Sequence, residues 1–255
     1  MQIIGIIPAR YASSRFPGKA LAEISGQTMI ERVYEQAQKS VLLNTVIVAT
    51  DDARIRDHVR SFGGKVVMTN PSHQSGTDRC AEVAFGTYIA DEYGLIISEP
   101  SDYIINIQGD EPFIQPAQID TLASYLDGLV ELATLVKKIE DPATLFNPNT
   151  PKVVLNAHHE AIYFSRQAVP FVRDAPPSEW LLHRDFYKHI GIYAYRADVL
   201  RKITQLPLSS LEKAEALEQL RWLENGFKIK VAITPYDSHG IDTPADLVAA
   251  QKRFL

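Results

Sequence analysis

A single cysteine, Cys80, stands in 255 residues, which excludes an internal disulfide framework or a cysteine-rich zinc site and fits a reducing compartment. No stretch approaches the roughly 18 uninterrupted apolar residues that a membrane-spanning helix requires, and the N-terminus lacks the charged-then-apolar pattern of a signal peptide. The expectation is a cytoplasmic protein without membrane insertion. Cationic excess is missing too. With a net charge of -5, nothing suggests wrapping a nucleic acid, so any cationic function has to be local. Repeats, low-complexity tracts and long linkers are also lacking. What is present is 45% hydrophobic residues, enough for the core of one large α/β domain or a domain with an elaborated half.

Periodicity sorts the first half into alternating elements. Gln2 to Pro8 reads as a strand apolar on both faces, the kind that helices cover on each side. Thr28 and Glu31 form a capping-box pattern ahead of Ile30, Val33, Tyr34 and Ala37 at helical spacing. Strands are predicted at Thr45 to Thr50, Lys65 to Thr69 and Tyr103 to Ile107. Between them lie a helix capped by Asp52 and stopped at Gly63-Gly64, and another that Thr77 can cap. This β-α-β-α order predicts a doubly wound, mostly parallel sheet whose ligands sit outside the carboxyl ends of the strands.

The middle changes character. Leu132 to Ile139, Lys152 to Asn156 and Ala161 to Ser165 read as antiparallel strands, the last two joined by a hairpin turn at 157–160, and His189 to Tyr195 as a further strand. Ser209 and Glu212 form a capping box that opens a helix through Leu217, Leu220 and Leu223 to Gly226, a strand follows at Lys228 to Thr234, and Thr243-Pro244 starts a terminal helix. The expected whole is a single domain, 1–255. Residues 1–130 and 226–255 supply the core, and an α+β elaboration fills 131–225.

Four polar stretches interrupt this pattern. Arg10, Arg15 and Lys19 crowd the loop after the first strand, where cations can wrap phosphate oxygens. Lys19 follows Gly18 as in a P-loop, but Ser13 stands at the first glycine and Ala20 at the metal-holding hydroxyl, so that motif fails. A strand ending in Gln108-Gly109-Asp110-Glu111-Pro112 puts Asp110 at the sheet edge as a candidate magnesium ligand. Glu111 reads better as part of a plain turn with an N-cap. Asp242 either supports the cap of the terminal helix or, with Thr243 filling that role, faces the same crevice as a second carboxylate. The segment His73 to Arg79 offers a dense set of hydrogen-bonding groups before a helix N-terminus, suited to a base edge or an anion, and equally to an ordinary polar loop.

These stretches, in this order, resemble the 3-deoxy-manno-octulosonate (Kdo) cytidylyltransferases. The likeness continues through Phe146-Asn147-Pro148-Asn149, Tyr163-Phe164-Ser165-Arg166, His189-Ile190-Gly191-Ile192-Tyr193 and Leu217-Glu218-Gln219-Leu220. The resemblance implies a nucleotide-diphospho-sugar transferase-like fold and an enzyme that joins CTP and Kdo, with Mg²⁺, into CMP-Kdo and pyrophosphate for lipopolysaccharide synthesis. It also suggests a homodimer. By matching position, Pro8, Ala9, Arg10, Arg15 and Lys19 meet the nucleotide, with Arg15 and Lys19 stabilising its developing charge. His73, Gln74, Ser75, Gly76, Arg79 and Gln108 contact the cytidine end, and Asp110 and Asp242 hold the metal. Arg166, His189, Tyr193, Glu218 and Gln219 line the sugar pocket. Phe16, Ala20 and Asp78 stand where many relatives carry leucine, proline and glutamate. A cytidylyltransferase for another acidic sugar, such as 8-amino-Kdo or a sialic acid, is the neighbouring reading. A nucleotide sensor without catalysis is the distant one.

Overall fold

The structure is a computed structural model describing residues 1–13 and 15–254; Ser14 of the cationic loop lies outside the described residues. The strands are β1 (Ile3–Ala9), β2 (Glu23–Ile24), β3 (Gln27–Thr28), β4 (Thr45–Thr50), β5 (Val66–Met68), β6 (Tyr103–Asn106), β7 (Leu132–Lys138), β8 (Lys152–Leu155), β9 (Ala161–Ser165), β10 (Tyr187–Arg196) and β11 (Ile229–Ile233). Among the described residues, nine of these form one sheet whose main path runs β11-β7-β10-β6-β1-β4-β5. Only β10 opposes the rest of that path, antiparallel to both β6 and β7. The sheet is therefore mostly parallel, as expected. β8 and β9 form the predicted hairpin and extend it from β10.

The strands alternate between two apolar layers because both faces of the sheet are covered. Ile3, Ile7, Val46, Val48, Tyr103 and Ile105 pack with Ile30, Val33, Ile55, Val59 and Ile119 of helices Met29–Gln38, Ala53–Ser61 and Pro116–Ala123. Ile4, Ile6, Ile47, Ala49 and Ile104 face the other way, toward Cys80, Val83, Val199, Leu200, Leu220 and Trp222 of helices Gly76–Phe85, Ala197–Ile203 and Gln219–Glu224. Each fully buried isoleucine contributes about 1.5–3 kcal/mol relative to exposure. From β1 the chain builds outward through β4 and β5, then crosses to the other side of β1 to form β6. That reversal opens a crevice at the carboxyl ends of β1 and β6.

Two local expectations are corrected. Ser75, not Thr77, caps the helix Gly76–Phe85 by accepting a hydrogen bond from the Asp78 amide at 3.1 Å, and Thr77 is buried within the first turn. The helix expected from Ser209 to Gly226 is split into Ser210–Glu215 and Gln219–Glu224 by a left-handed Ala216 at φ 50°. The cause lies far away in sequence: the Arg166 guanidinium donates to the carbonyls of Glu215 (2.7 Å) and Ala216 (3.3 Å), drawing the chain out of its helical course.

Candidate active site

The crevice at the reversal is a cleft of about 290 Å³. It is lined by Pro8, Ala9, Arg10, Arg15 and Lys19 from the loop after β1, by His73, Gln74, Ser75, Gly76 and Arg79 around the next helix start, by Gln108 and Asp110 beyond β6, and by Asp242. Every nucleotide-side and metal candidate from the sequence therefore meets at one mouth. Two glycines make this possible. Gly18 holds φ at 73°, a left-handed turn that brings Lys19 back across the loop. Gly109 runs so close to β1 that a Cβ there would lie 2.6 Å from the Pro8 carbonyl oxygen.

At the centre, Lys19 Nζ lies 2.5 Å from Asp110 Oδ2 and 3.2 Å from Asp242 Oδ1, and Arg15 Nη2 lies 3.0 Å from the same Asp242 oxygen. Two carboxylates thus converge on one cationic position. Hard oxygen donors of this kind suit Mg²⁺, which typically takes one or two carboxylates and fills its remaining positions with phosphate oxygens and water. Among the described residues there is no group of three or more His, Cys, Asp or Glu side chains that could hold a metal ion. Asp242 is free to join Asp110 because Thr243 and Asp246 cap the terminal helix between themselves.

The segment carrying Asp242 is anchored from several sides. Asp237 pairs with Lys188 at 2.5 Å and Lys137 at 3.2 Å, and the Ile241 amide donates to the Asp110 carbonyl at 2.9 Å. Ser238 donates its hydroxyl to the Glu111 carboxyl. Glu111 closes a turn, as its sequence context suggests, its amide donating to the Gln108 carbonyl at 3.3 Å, but its side chain is neither exposed nor an N-cap. It is buried and stitches the two aspartate-bearing segments together, and burial pushes its carboxyl up to about 7 against the lowering effect of Ser238. Nothing in Asp-Glu-Pro distinguishes such a residue, because its partner lies 127 positions on.

Around the base end, the His73 ring hydrogen-bonds Glu82, and the buried Arg79 guanidinium donates to Thr69 and Asp51, tying the helix start to the ends of β5 and β4. Arg79 borders the cleft with its donors largely committed to the protein.

The sugar-side candidates do not line this cleft; His189, Tyr193, Glu218 and Gln219 gather next to it, while the Arg166 guanidinium is engaged by the carbonyls of Pro148, Glu215 and Ala216. His189 and Tyr193 have ring centroids 5.1 Å apart, and Tyr193 meets Trp222, of the helix carrying Gln219, edge-on at 5.1 Å. His189 Nε2 pairs with Thr134 Oγ1 at 3.0 Å, and burial pushes the imidazole down to about 3, so it stays neutral. The Gln219 amide nitrogen is buried without a hydrogen-bond partner among the described residues. Glu218 accepts from Arg221 and Thr77; burial raises its carboxyl above the usual range, and those two partners oppose the shift. Between Ile190 and Tyr193 the β10 ladder shifts register, and a Cβ on Gly191 in that bulge would touch the Gln108 side chain at 3.9 Å. The two clusters adjoin there. Sequence reasoning did not single out Asn106 and Ser238 in this region, and it read Thr77 and Glu111 as a cap and a turn residue.

Comparison with known proteins identifies the family. A family model described as cytidylyltransferase matches residues 4–229. The 3-deoxy-manno-octulosonate cytidylyltransferase of Cytophaga hutchinsonii is 58% identical, covering 97% of this chain and 96% of its own length, and that of Thermodesulfovibrio yellowstonii is 48% identical, covering 99% and 98%. A solved CMP:2-keto-3-deoxy-manno-octonic acid synthetase complexed with CTP superposes with a TM-score of 0.87 at 41% identity, over 99% of this chain and 98% of that one. A 4-diphosphocytidyl-2C-methyl-D-erythritol synthase from Anaerococcus prevotii, 12% identical with a TM-score of 0.60 over 99% of this chain and 96% of that one, shares the fold. This chain belongs to the 3-deoxy-manno-octulosonate cytidylyltransferase family.

Proposed function

We propose that the chain transfers CMP from CTP to the anomeric hydroxyl of 3-deoxy-D-manno-octulosonate, with magnesium, releasing pyrophosphate and supplying CMP-Kdo for lipopolysaccharide synthesis. The observation that carries this reading is the convergence of Lys19, Arg15, Asp110 and Asp242 at the carboxyl ends of β1 and β6.

The anomeric oxygen forms a bond to the α-phosphorus while the bond to the β-phosphate bridge breaks, its electron pair leaving with pyrophosphate and the hydroxyl proton passing to solvent. Attack on a polyanion by a sugar bearing its own carboxylate is opposed by repulsion. Arg10, Arg15 and Lys19 offset it at the cleft wall, where fixed charges act without reorganising during the reaction. Asp110 and Asp242 would hold Mg²⁺, which when bound supplies charge neutralisation at the phosphates. Arg15 and Lys19, paired with those aspartates in the free protein, are then available to the triphosphate. Gln108 and the 73–76 loop receive the cytidine, and Arg79 braces that loop through Thr69 and Asp51.

His189, Tyr193, Glu218, Gln219 and Arg166 receive the acidic sugar. Arg166, whose guanidinium donates to the carbonyls of Pro148, Glu215 and Ala216, would turn a donor from these to the sugar carboxylate, and the unpartnered Gln219 amide offers a donor to a hydroxyl. Positioning supplies much of the rate, since transfer at phosphorus needs little covalent help from the protein.

CTP is a cytoplasmic nucleotide, which places the proposed activity in that compartment. The exposed Ile162, Phe171 and Leu182 suit a homodimer contact on the sugar-side half. Pyrophosphate release measured with CTP and Mg²⁺ against Kdo, 8-amino-Kdo and N-acetylneuraminate tests the reading. Turnover is expected with Kdo foremost. Preference for either alternative reassigns the sugar, and no release with any of them leaves a nucleotide sensor.

A further inference from the structure

The first turn of helix Gly76–Phe85 carries a buried hydroxyl that its own helix does not use. Because Ser75 supplies the cap, Thr77 Oγ1 points away from the helix end and donates to Glu218 Oε2 at 3.0 Å. The same oxygen lies 3.2 Å from the Tyr195 hydroxyl, and that hydroxyl lies 3.3 Å from Asn106 Nδ2. Thr77 and Tyr195 are at most 2% exposed and Asn106 is 4% exposed, so water does not compete for these groups.

Hydrogen-bond chemistry fixes the direction of the chain. Each hydroxyl has one proton to give. The Thr77 proton goes to the Glu218 carboxylate, which can only accept, so Tyr195 must donate to Thr77 and receive from Asn106. Three bonds therefore run one way, from the end of β6, four residues before Asp110, through the helix that follows the nucleotide loop, to the residue preceding Gln219. The other Glu218 oxygen is held by Arg221 at 2.9 Å.

We propose that Thr77 is a positioning residue that couples the nucleotide cleft to the sugar pocket, by fixing Glu218 and with it the neighbouring Gln219 against the helix bordering the cytidine end. The proposal rests on the assignment of the Glu218-Gln219 segment to the acidic sugar, stated above. Thr77 touches neither substrate. Its hydroxyl holds the only direct side-chain hydrogen bond recorded between the 76–85 helix and the 216–219 turn among the described residues. Without it, Glu218 retains Arg221 on its own helix and loses its tie to the nucleotide half. Ser75 still caps the helix, so the loop facing the nucleotide keeps its shape.

The test compares wild type, Thr77→Val and Thr77→Ser in steady-state turnover with CTP, Kdo and Mg²⁺, alongside thermal unfolding of each. For Thr77→Val the KM for Kdo is expected to rise about tenfold, in keeping with loss of a hydrogen bond to a charged group, while the KM for CTP stays within about twofold of wild type on the same reasoning that the cap persists. Thr77→Ser, which keeps the hydroxyl, is expected to bring the Kdo KM back near the wild-type value. A drop in unfolding temperature with both KM values unchanged, or an equal rise of both, overturns the coupling and leaves Thr77 a structural residue. Should Thr77→Val fail to fold, a Thr77→Ser enzyme with the wild-type Kdo KM supports the proposal, and one with CTP and Kdo KM values raised alike contradicts it. Absence of wild-type turnover with Kdo removes the sugar assignment and the coupling together, which distinguishes that failure from loss of the coupling alone.

Discussion

Lys19 Nζ lies 2.5 Å from Asp110 Oδ2, across 91 positions of sequence, and the ammonium also reaches Asp242. A lysine so placed holds together two carboxylates that would otherwise repel one another. The arrangement is poised for exchange: a divalent cation can take over the aspartates while the lysine turns to phosphate. Because these side chains are partly exposed, the ion pairs themselves add little stability.

Asp110→Asn is expected to fold normally and to lose about 10²–10³ in turnover, the range associated with removing one preorganised charge-stabilising group. Steady-state pyrophosphate release with circular dichroism checks it. Wild-type turnover in the variant would remove Asp110 from the metal site.

Lys19→Met leaves Asp110 and Asp242 facing each other without their shared cation. Its unfolding temperature in chelator should fall below that of wild type, and added Mg²⁺ should raise it by more than in wild type, because the ion relieves the repulsion. Differential scanning fluorimetry reads both. An equal Mg²⁺ effect in the two proteins would show that the ion does not bind between these carboxylates.

Gly109→Ala forces a Cβ to 2.6 Å from the Pro8 carbonyl, so either the end of β1 or the Asp110 segment must shift. A loss of about 1–3 kcal/mol is expected from such overpacking, with turnover reduced as the cleft deforms. Gly240→Ala, where no atom stands within 4 Å, should stay within about 0.5 kcal/mol of wild type as an unhindered substitution does. Denaturant unfolding of both proteins separates the two cases.

His189 supplies a pH dependence with a defined sign. Its folded value lies near 3 against an ordinary 6.5, so between these values the unfolded chain binds a proton that the folded chain refuses. Its contribution is complete above about 6.5 and is lost as pH falls toward 3, by up to about 1.4 kcal/mol per pH unit. Glu111, raised from 4.5 to about 7, acts in the opposite sense, with stability lost as pH rises across that interval. In His189→Gln the decline in unfolding free energy between pH 6 and pH 4 should be shallower than in wild type. Identical slopes would mean that the imidazole titrates normally in the folded protein.

The sequence revealed what local chemistry writes into short stretches. The strands of the first half showed themselves because both faces are apolar, and Lys19, Asp110 and Asp242 because glycine-bearing turns follow strand ends or precede a capped helix. Features set by distant partners stayed hidden. Ala216 adopts a left-handed conformation because Arg166 pulls on two carbonyls from 50 residues away. Glu111 sits in the turn its context suggests, but the pairing that its buried carboxyl makes with Ser238, 127 positions on, left no local mark. Thr77 passed for a cap because threonine favours that position, and only the backbone decides that Ser75 takes it. The place of β10, reversed between β6 and β7, follows from tertiary packing that no local pattern records.

A crystal structure with CTP and Mg²⁺ bound tests the account most directly. The triphosphate should lie against Arg10, Arg15 and Lys19, with Mg²⁺ on Asp110 and Asp242 and the Lys19 ammonium withdrawn from between them. A nucleotide seated elsewhere, with the Lys19–Asp110 pair intact, would contradict it.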